Sequence, residues 1–375
     1  MNKKNKIVIT GGHLAPALAV ISELQKRGGW EIYYLSRKYA MEGTKVPAAE
    51  SKVIPQMGVE YIDFNPGRLQ RRFTRYTIPS LLRVPLGFAQ ALIIILKIKP
   101  DVICSFGGYV SVPVVLAGWL LRVPILTHEQ TIVFGLASKI NALFATKIAV
   151  SFPESLKHFP KNKVVLTGNP IREEIFKIKK SPQFPISIRQ LADQFPIIYI
   201  TGGSQGAHVI NLAVLEILPQ LLENYTVIHQ CGDLDFEFIS HQSSTINHQL
   251  REHYFLASYV GSEEIGWVLN KASLIISRAG ANTICEIASL GKPAIFIPIP
   301  WSYQDEQTKN AQVLVEVGMA EILPQDQLTG ERLLGMIVQM TTDLDKYQKN
   351  EAKAKALVKL DAAQKLVDEI ENLTR

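Results

Sequence analysis

Residues 197–211 read IIYITGGSQGAHVIN, an apolar run that passes through a glycine-rich turn into a stretch with helical spacing. Near the start of the chain, residues 6–20 read KIVITGGHLAPALAV and repeat that order. An apolar strand that leads through a glycine turn into a helix is typical of the first part of a doubly wound α/β domain. The repeat predicts two such domains.

Short β-branched runs alternate with helical patterns after each of these stretches, as in EIYYLS at 31–36 and DVICSF at 101–106. Strands that are apolar throughout are typical of a parallel sheet with helices on both faces. Ligands of such sheets bind beyond the carboxyl ends of the strands, so two facing domains predict a cleft. We predict an N-terminal domain over 1–172, a linker over 173–195, a C-terminal domain over 196–345, and a C-terminal helix over 346–375 that packs back on the N-terminal domain.

The charge is divided unevenly along the 375 residues. Residues 1–180 hold 26 Lys and Arg against 11 Asp and Glu, whereas residues 181–375 hold 14 against 23. A basic half predicts a polyanionic partner, either nucleic acid or an anionic membrane surface, unless the basic residues are merely scattered over a solvated face. No nucleic-acid recognition motif accompanies the charge, so nucleic acid is the weaker alternative.

Three widely spaced cysteines offer neither a disulfide framework nor a zinc site and fit a reducing compartment. The apolar run after the basic N-terminus is too short for a signal peptide. GDLDF at 232–236 has the D-x-D form of some metal sites, but no further ligands lie nearby, and we expect no metal and no cofactor.

The most apolar segment, 78–100, is interrupted by Arg83 and two prolines and is too short to span a bilayer. Four arginines lie around two aromatic residues just before it, in GRLQRRFTRY at 67–76. Such a combination suits an interfacial contact with anionic lipid, and the alternative is a core helix after a solvated loop.

Glycine turns at strand ends are candidate anion sites, because helix N-termini present unpaired N–H groups and a positive dipole end. In the second half the turn holds Gly203, Ser204 and Gln205, and a diphosphate is the most plausible anion, although a structural turn is the alternative. SRAGANTICEIASLGKP at 277–293 repeats this form. Its helix carries Ala281, Asn282 and then Glu286, a carboxylate suited to ribose hydroxyls, or else a surface group. Gln307 lies in a downstream amide cluster suited to sugar hydroxyls.

The first half has two Gly-Gly turns and a polar strand end. We predict that they form one polar cluster at the edge of the first sheet, in which the histidines are either functional or structural. Its members are Gly11, Gly12, His13, Gly107, Gly108, Tyr109, His128, Glu129 and Thr131.

The ordered motifs GGHLAPALAV, SFGGYVSVPVVLA, HEQ, LTGNPIR, GGSQGAHVIN, SRAGANTICEIASLGKPAIFIPIP and DEQTKNA resemble the MurG family. That family consists of peripheral membrane transferases that add N-acetylglucosamine to the undecaprenyl-diphosphate-linked muramyl-pentapeptide, lipid I. The resemblance implies a GT-B fold, UDP-N-acetylglucosamine as donor, and a location on the cytoplasmic face of the cell membrane.

The resemblance also implies residue roles. Ser204 and its neighbours would contact the donor diphosphate, Glu286 the ribose, and the backbone near Val260 the uracil. Arg172 would reach the nucleotide and Gln307 the sugar. The first-half glycine turns would hold the lipid diphosphate, with His13, and with it Glu129, as the catalytic residues. The acceptor C4 hydroxyl would attack with inversion at the anomeric carbon.

Three features depart from the family pattern: a first glycine loop shortened to TGGH, Thr131 where the family has Asn after HEQ, and Thr308 in place of a second glutamine. They affect the acceptor side more than the donor side. Two alternatives therefore stay open, a GT-B transferase with another lipid acceptor and a catalytically silent UDP-sugar-binding protein.

Overall fold

The computed structural model describes residues 4–39, 47–67, 77–133, 135–178, 188, 191 and 194–374. Contacts divide it into two compact units, residues 1–172 with 359–375, and residues 173–358. The predicted arginine-rich segment at 67–76 lies outside the described residues from position 68 onward, as does most of the predicted linker.

The first unit holds a seven-stranded parallel sheet with the order β3-β2-β1-β4-β5-β6-β7. Its strands are β1 Asn5–Thr10, β2 Trp30–Ser36, β3 Glu60–Asp63, β4 Val102–Ser105, β5 Ile125–Glu129, β6 Lys147–Val150 and β7 Val164–Leu166. Its helices are α1 Leu14–Arg27, α2 Ala49–Gln56, α3 Thr77–Ile98, α4 Ser111–Leu120 and α5 Leu136–Phe144, with a short 3₁₀ helix at Pro153–His158.

The second unit holds a six-stranded parallel sheet with the order β10-β9-β8-β11-β12-β13. Its strands are β8 Ile197–Thr201, β9 Thr226–Gln230, β10 Tyr254–Ala257, β11 Ala272–Ser277, β12 Ala294–Phe296 and β13 Ala320–Ile322. Its helices are α6 His208–Leu222, α7 Phe236–Ser243, α8 His248–Arg251, α9 Ser262–Lys271, α10 Ala281–Leu290, α11 Glu306–Glu316, α12 Gly330–Thr342, α13 Leu344–Gln348 and α14 Glu351–Ala356, with 3₁₀ turns at Glu173–Phe176, Tyr303–Asp305 and Gln325–Gln327.

Both faces of the first sheet are buried, which explains the continuously apolar strands. Ile7 and Ile9 of β1 enter one core with α1, whereas Val8 between them enters a second core with Val114 of α4. Successive side chains of a strand point to opposite faces, so a strand covered on both sides needs apolar residues at every position. The predicted fold class of two doubly wound parallel sheets is confirmed.

The last helix, α15 Ala362–Leu373, belongs to the first unit. Leu366, Val367 and Ile370 are fully buried in the same core as Ile7 and Ile9. Beside them, α15 is joined to α1 by an ion pair, because the Arg27 guanidinium lies 2.7 Å from the Asp368 carboxylate. The core of the first unit is therefore completed by a segment more than 180 residues further along the chain.

Two stretches that the sequence assigned elsewhere belong to the second unit. Residues 346–358, predicted as part of the returning helix, stay there because Tyr347 is buried and its hydroxyl donates to Glu321 Oε1 at 3.1 Å. Residues 173–176, predicted as linker, hold the buried Ile175, whose carbonyl accepts a hydrogen bond from Asn270 Nδ2 at 2.6 Å.

Helix α3 carries apolar residues on two faces. Ala91 and Ile95 are buried against the sheet, whereas Leu82, Leu86 and Ile93 are each at least 66% exposed. Within the described ranges, no helix combines the length and the apolar character needed to cross a membrane. One side of the helix thus lies in the core, as the core-helix alternative expects, while the contact with anionic lipid stays a prediction.

We expect Leu366→Ala to lower the free energy of unfolding of the first unit by about 2–5 kcal/mol, because the fully buried side chain leaves a cavity. Leu360→Ala is the matched control, since Leu360 lies in the same returning segment and is 64% exposed. Urea unfolding of both variants checks the prediction. Equal losses in the two variants would show that α15 is not part of this core.

Candidate functional site

Two glycine turns lie side by side where the first sheet reverses its strand order. Gly11 and Gly12 join β1 to α1, and Gly107 and Gly108 follow β4. The N–H of Gly12 donates to the carbonyl of Gly107 at 3.1 Å. Gly11 has a φ of 145°, and a Cβ atom there would lie 2.8 Å from the backbone of Phe106. The two turns therefore pack backbone against backbone, which a larger residue at Gly11 would prevent.

This packing limits which groups of the cluster can bind an anion. The Gly12 N–H is used within the protein, and the Gly11 carbonyl lies 3.3 Å from the Tyr34 hydroxyl that donates to it. What remains are the N–H groups of Leu14 and Ala15 in α1 and of Val112 in α4, because Pro16 and Pro113 have no N–H and the Ser111 N–H donates to the Gly108 carbonyl at 3.2 Å. Tyr109 lies at the second turn, with the Arg37 guanidinium 5.2 Å from its ring centre.

His13 is the residue that immediately precedes α1. Its backbone is extended, and its side chain is partly exposed and makes no capping hydrogen bond to the helix. Burial lowers the pKa of His13 to about 4. The imidazole is therefore neutral near pH 7, the state in which it can accept a proton.

His128 lies near His13 but is turned into the protein, with 1% of its surface exposed. Its Nε2 lies 3.0 Å from the Gly168 carbonyl, and its Nδ1 lies 3.2 Å from the Gln130 side-chain amide. Burial lowers its pKa to about 4, helped by nearby His13 and opposed by the bond to Gly168. Both ring nitrogens thus have protein partners, and the predicted acceptor contact of His128 stays a prediction.

Glu129 and Thr131 bind each other. Glu129 Oε1 accepts hydrogen bonds from the Thr131 N–H at 3.0 Å and from the Thr131 hydroxyl at 2.8 Å. Both residues are 5% exposed. Burial raises the pKa of Glu129, which Ser138 and Thr131 counteract, yet no donor in the described ranges reaches Oε2 with hydrogen-bond geometry. Thr131 thus occupies Oε1 of Glu129, and the predicted roles of the two residues stay predictions.

The glycine turn of the second unit is also closed against a neighbouring strand end. Gly203 to Gly206 form a turn in which the Gly206 N–H donates to the Gly203 carbonyl at 3.0 Å. Gly206 has a φ of 74°, and a Cβ atom there would lie 1.8 Å from the Cys231 carbonyl oxygen. Ser204 and Gln205 are exposed at the tip of the turn, beside the N-terminus of α6. The turn thus presents N–H groups and a hydroxyl to solvent.

Gln230, which the sequence analysis did not single out, holds this turn in place. Its Nε2 donates to the Gly203 carbonyl at 2.9 Å, and its Oε1 accepts from the Val260 N–H at 2.9 Å. The Val260 N–H, one of the groups predicted to read uracil, is therefore engaged by a side chain. A polar residue ending an apolar strand, as in YTVIHQ at 225–230, is the sequence signal for it.

Three of the predicted donor-binding residues lie in the first turns of α10. Ala281 begins the helix, Asn282 is partly exposed, and Glu286 is 8% exposed one turn further on. Glu286 is thus a buried carboxylate and not the surface group that the sequence left as the alternative. Its burial next to a helix start limits the directions from which a ligand can reach it.

Gln307 has one end of its amide engaged. Its Oε1 accepts from the Ala279 N–H at 3.3 Å and from the Ile299 N–H at 3.1 Å, so the side chain offers Nε2 as a donor. The loop before it contains two successive residues with positive φ, Gln304 at 49° and Asp305 at 55°. Such strain is stored preferentially at functional sites.

Arg278, also missed from the sequence, shapes the same edge. It is 8% exposed, and burial lowers its pKa. Its guanidinium donates to the Ile297 carbonyl at 2.8 Å and to Gln325 Oε1 at 2.7 Å, which holds the loop beyond β12. Arg172, predicted to reach the nucleotide, is the last residue before the second unit and is partly buried.

The structure gathers the predicted residues by unit. The residues predicted to bind the lipid acceptor lie at the carboxyl ends of β1, β4 and β5. The residues predicted to bind the donor, apart from Arg172, lie at the carboxyl edge of the second sheet or on helices that start there. In the described part of the chain, no group of three or more His, Cys, Asp and Glu side chains is arranged to hold a metal ion.

Comparison with known proteins covers both units. Residues 9–150 match the glycosyltransferase family 28 N-terminal domain, and residues 197–369 match the glycosyltransferase family 28 C-terminal domain. The crystal structure of Acinetobacter baumannii MurG is 26% identical, covers 98% of this chain and 99% of its own, and superposes with a TM-score of 0.67.

Curated relatives extend over nearly the whole chain. A Bacillus cereus protein named UDP-N-acetylglucosamine--N-acetylmuramyl-(pentapeptide) pyrophosphoryl-undecaprenol N-acetylglucosamine transferase 2 is 37% identical over 350 residues, 92% of this chain and 93% of its own. A Lachnospira eligens transferase of that name, without the number, is 34% identical over 96% of this chain and 98% of its own. The chain therefore belongs to glycosyltransferase family 28 and, within it, to the MurG family of N-acetylglucosamine transferases.

Proposed function

We propose that this chain transfers N-acetylglucosamine from UDP-N-acetylglucosamine to the C4 hydroxyl of the muramyl sugar of lipid I, with inversion at the anomeric carbon. The product is lipid II, the precursor used in peptidoglycan synthesis. The observation that carries the proposal is the similarity to transferases of this name over more than nine-tenths of the chain. The glycine turns at the edges of both sheets support it.

The donor side is assigned to the second unit. The turn with Ser204 and Gln205 at the start of α6 would hold the donor diphosphate, since a helix N-terminus favours negative charge. Glu286 would bind the ribose, and Nε2 of Gln307 would donate to a sugar hydroxyl. As the bond from C1 to the diphosphate oxygen breaks, the N–H groups of α6 would stabilise the charge on departing UDP, together with Arg172.

The acceptor side is assigned to the first unit. The N-termini of α1 and α4 would bind the lipid diphosphate, and His13 would remove the proton from the C4 hydroxyl as that oxygen attacks C1. The lowered pKa of His13 keeps it able to accept this proton near pH 7. His128 below it, held by Gly168 and Gln130, would keep the imidazole in place.

We also propose that the chain attaches peripherally to the anionic cytoplasmic face of the cell membrane. The exposed residues of α3 recur at helical spacing, with Leu82, Leu86, Ile93 and Leu96 along one stripe. Arg83 and Lys97 are exposed on the same helix. An apolar stripe with basic neighbours suits insertion among anionic headgroups.

Transfer of N-acetylglucosamine to a short-chain lipid I analogue, followed by UDP release, tests the activity and the role of His13. We expect turnover in the wild type and a loss of about 10²–10⁴-fold in His13→Ala, because one positioned base contributes that much. UDP affinity should be kept, since the donor is assigned to the other unit. His241→Ala, an exposed histidine on α7, is the control. A wild type that releases no UDP above background contradicts the proposed function.

The pH dependence of kcat/KM reports the base in the free enzyme. A group with a lowered pKa stays deprotonated further into the acid range, so activity lost on protonation of His13 should be lost only as the pH approaches about 4. We expect nearly constant kcat/KM from about pH 7.5 down to about 5.5, where a histidine of ordinary pKa would cost about tenfold. An acid limb centred near the ordinary histidine value would rule out His13 in this environment as the base.

Sedimentation with lipid vesicles tests the attachment surface. We expect the wild type to bind vesicles rich in anionic lipid and the double variant Leu86→Glu/Ile93→Glu to lose at least about tenfold in affinity, because two charges would enter the interface. Val338→Glu, at an exposed position of α12, is the matched control. Unchanged vesicle binding by the double variant would exclude α3 as the attachment surface.

A further inference from the structure

The side-chain amide of Gln230 has all its hydrogen-bonding groups engaged within the protein. Its Nε2 donates to the Gly203 carbonyl at 2.9 Å and to Thr201 Oγ1 at 3.1 Å. Its Oε1 accepts from the Val260 N–H at 2.9 Å and from the Tyr199 hydroxyl at 3.4 Å. An amide has two N–H donors and two acceptor lone pairs, so none is left over. With 4% exposure, the side chain cannot itself contact a ligand.

These bonds join two loops that the chain keeps far apart. Gly203 lies in the turn between β8 and α6, and Val260 lies in the loop between β10 and α9. Gly203 has a φ of 87° with no atom within 4 Å of a Cβ position, so local crowding does not restrict its backbone. Its orientation depends on hydrogen bonds instead. Thr201 Oγ1 accepts a hydrogen bond from the Gly203 N–H at 3.0 Å, and Gln230 Nε2 donates a hydrogen bond to the Gly203 carbonyl.

We propose that Gln230 is a positioning residue that sets the spacing between the diphosphate-binding turn and the nucleobase-binding loop. This inference rests on the proposed function, which assigns the turn to the donor diphosphate, and on the sequence-based expectation that the loop near Val260 binds uracil. A ligand that reaches both loops gains from the second contact only when the spacing between them matches its own length. Gln230 therefore makes the site selective for a uridine diphosphate over either of its fragments.

If Gln230 had only a structural role, its replacement would have a different effect on ligand binding. Loss of its hydrogen bonds would then lower the stability of the second unit and weaken every ligand of the site alike. If Gln230 instead sets the spacing of the two loops, its loss weakens the binding of UDP, which contacts both loops. The affinities for uridine and for inorganic diphosphate, which each contact one loop, stay nearly unchanged. The ratio of these affinities separates the two roles.

The test is calorimetric titration of wild type and Gln230→Met with UDP, uridine and inorganic diphosphate. Methionine keeps the volume of the side chain and removes both donors and the oxygen acceptor. We expect UDP affinity to fall at least about tenfold and the fragment affinities to change by less than about threefold, because the advantage of linking two contacts is lost.

Tyr254→Phe is the matched control. It removes another buried hydrogen bond of the same sheet, the one between the Tyr254 hydroxyl and His229 Nδ1 at 2.9 Å, at a residue with no assigned ligand contact. It should lower the thermal midpoint and leave all three affinities unchanged. Equal losses for the three ligands in Gln230→Met, or a UDP loss no larger than in Tyr254→Phe, overturn the proposal.

Thr201 supplies a second variant pair if Gln230→Met does not fold. Thr201→Val removes the hydroxyl shared by the Gly203 N–H and Gln230, and Thr201→Ser keeps it. We expect Thr201→Val to weaken UDP selectively and Thr201→Ser to restore it, and identical affinities in the pair overturn the proposal. A wild type that binds fragments but not UDP overturns the spacing inference alone. One that binds none of the three ligands overturns the donor-site assignment and this inference with it.

Discussion

Backbone crowding where the turn after the first strand of each unit passes the end of a neighbouring strand constrains both candidate sites. At that point a turn leaves one strand and must pass the end of its neighbour within van der Waals contact. At Gly11 against Phe106 and at Gly206 against Cys231, even a methyl group would overlap main-chain atoms. The crowding brings helix N-termini to the sheet edge, and a helix N-terminus is an environment that favours a bound diphosphate.

The sequence predicted the fold class because the signal for a doubly wound sheet is local. An apolar strand, a glycine turn and a helix follow one another within about 20 residues, and this order recurs in the two halves. The return of α15 was predicted too early. The segment with Tyr347 has the same helical pattern as the segment with Leu366, and only tertiary packing distinguishes them, since Tyr347 meets Glu321 whereas Leu366 meets the core of the first unit.

The candidate site was predictable at the level of strand ends but not of side-chain direction. His13, His128 and Glu129 all follow apolar strands, so their pattern is the same in the sequence. The structure separates them by their partners: Gly168 and Gln130 engage both nitrogens of His128, Thr131 engages Glu129, and His13 stays partly exposed. The role of Gln230 could not be predicted for a related reason, because its buried amide acts through hydrogen bonds to residues that are distant in the sequence.

The chain leaves the first unit after residue 172 and returns to it at residue 359, with the whole second unit between. During synthesis, the second unit can fold as soon as its own continuous segment has left the ribosome, because it needs no residue from either flank. The first unit begins earlier, but the part of its core beside α1, β4 and β5 stays uncovered until α15 arrives. Of the two units, the one assigned to the lipid substrate is thus completed last. Until then it exposes apolar surface and is the more prone of the two to aggregate.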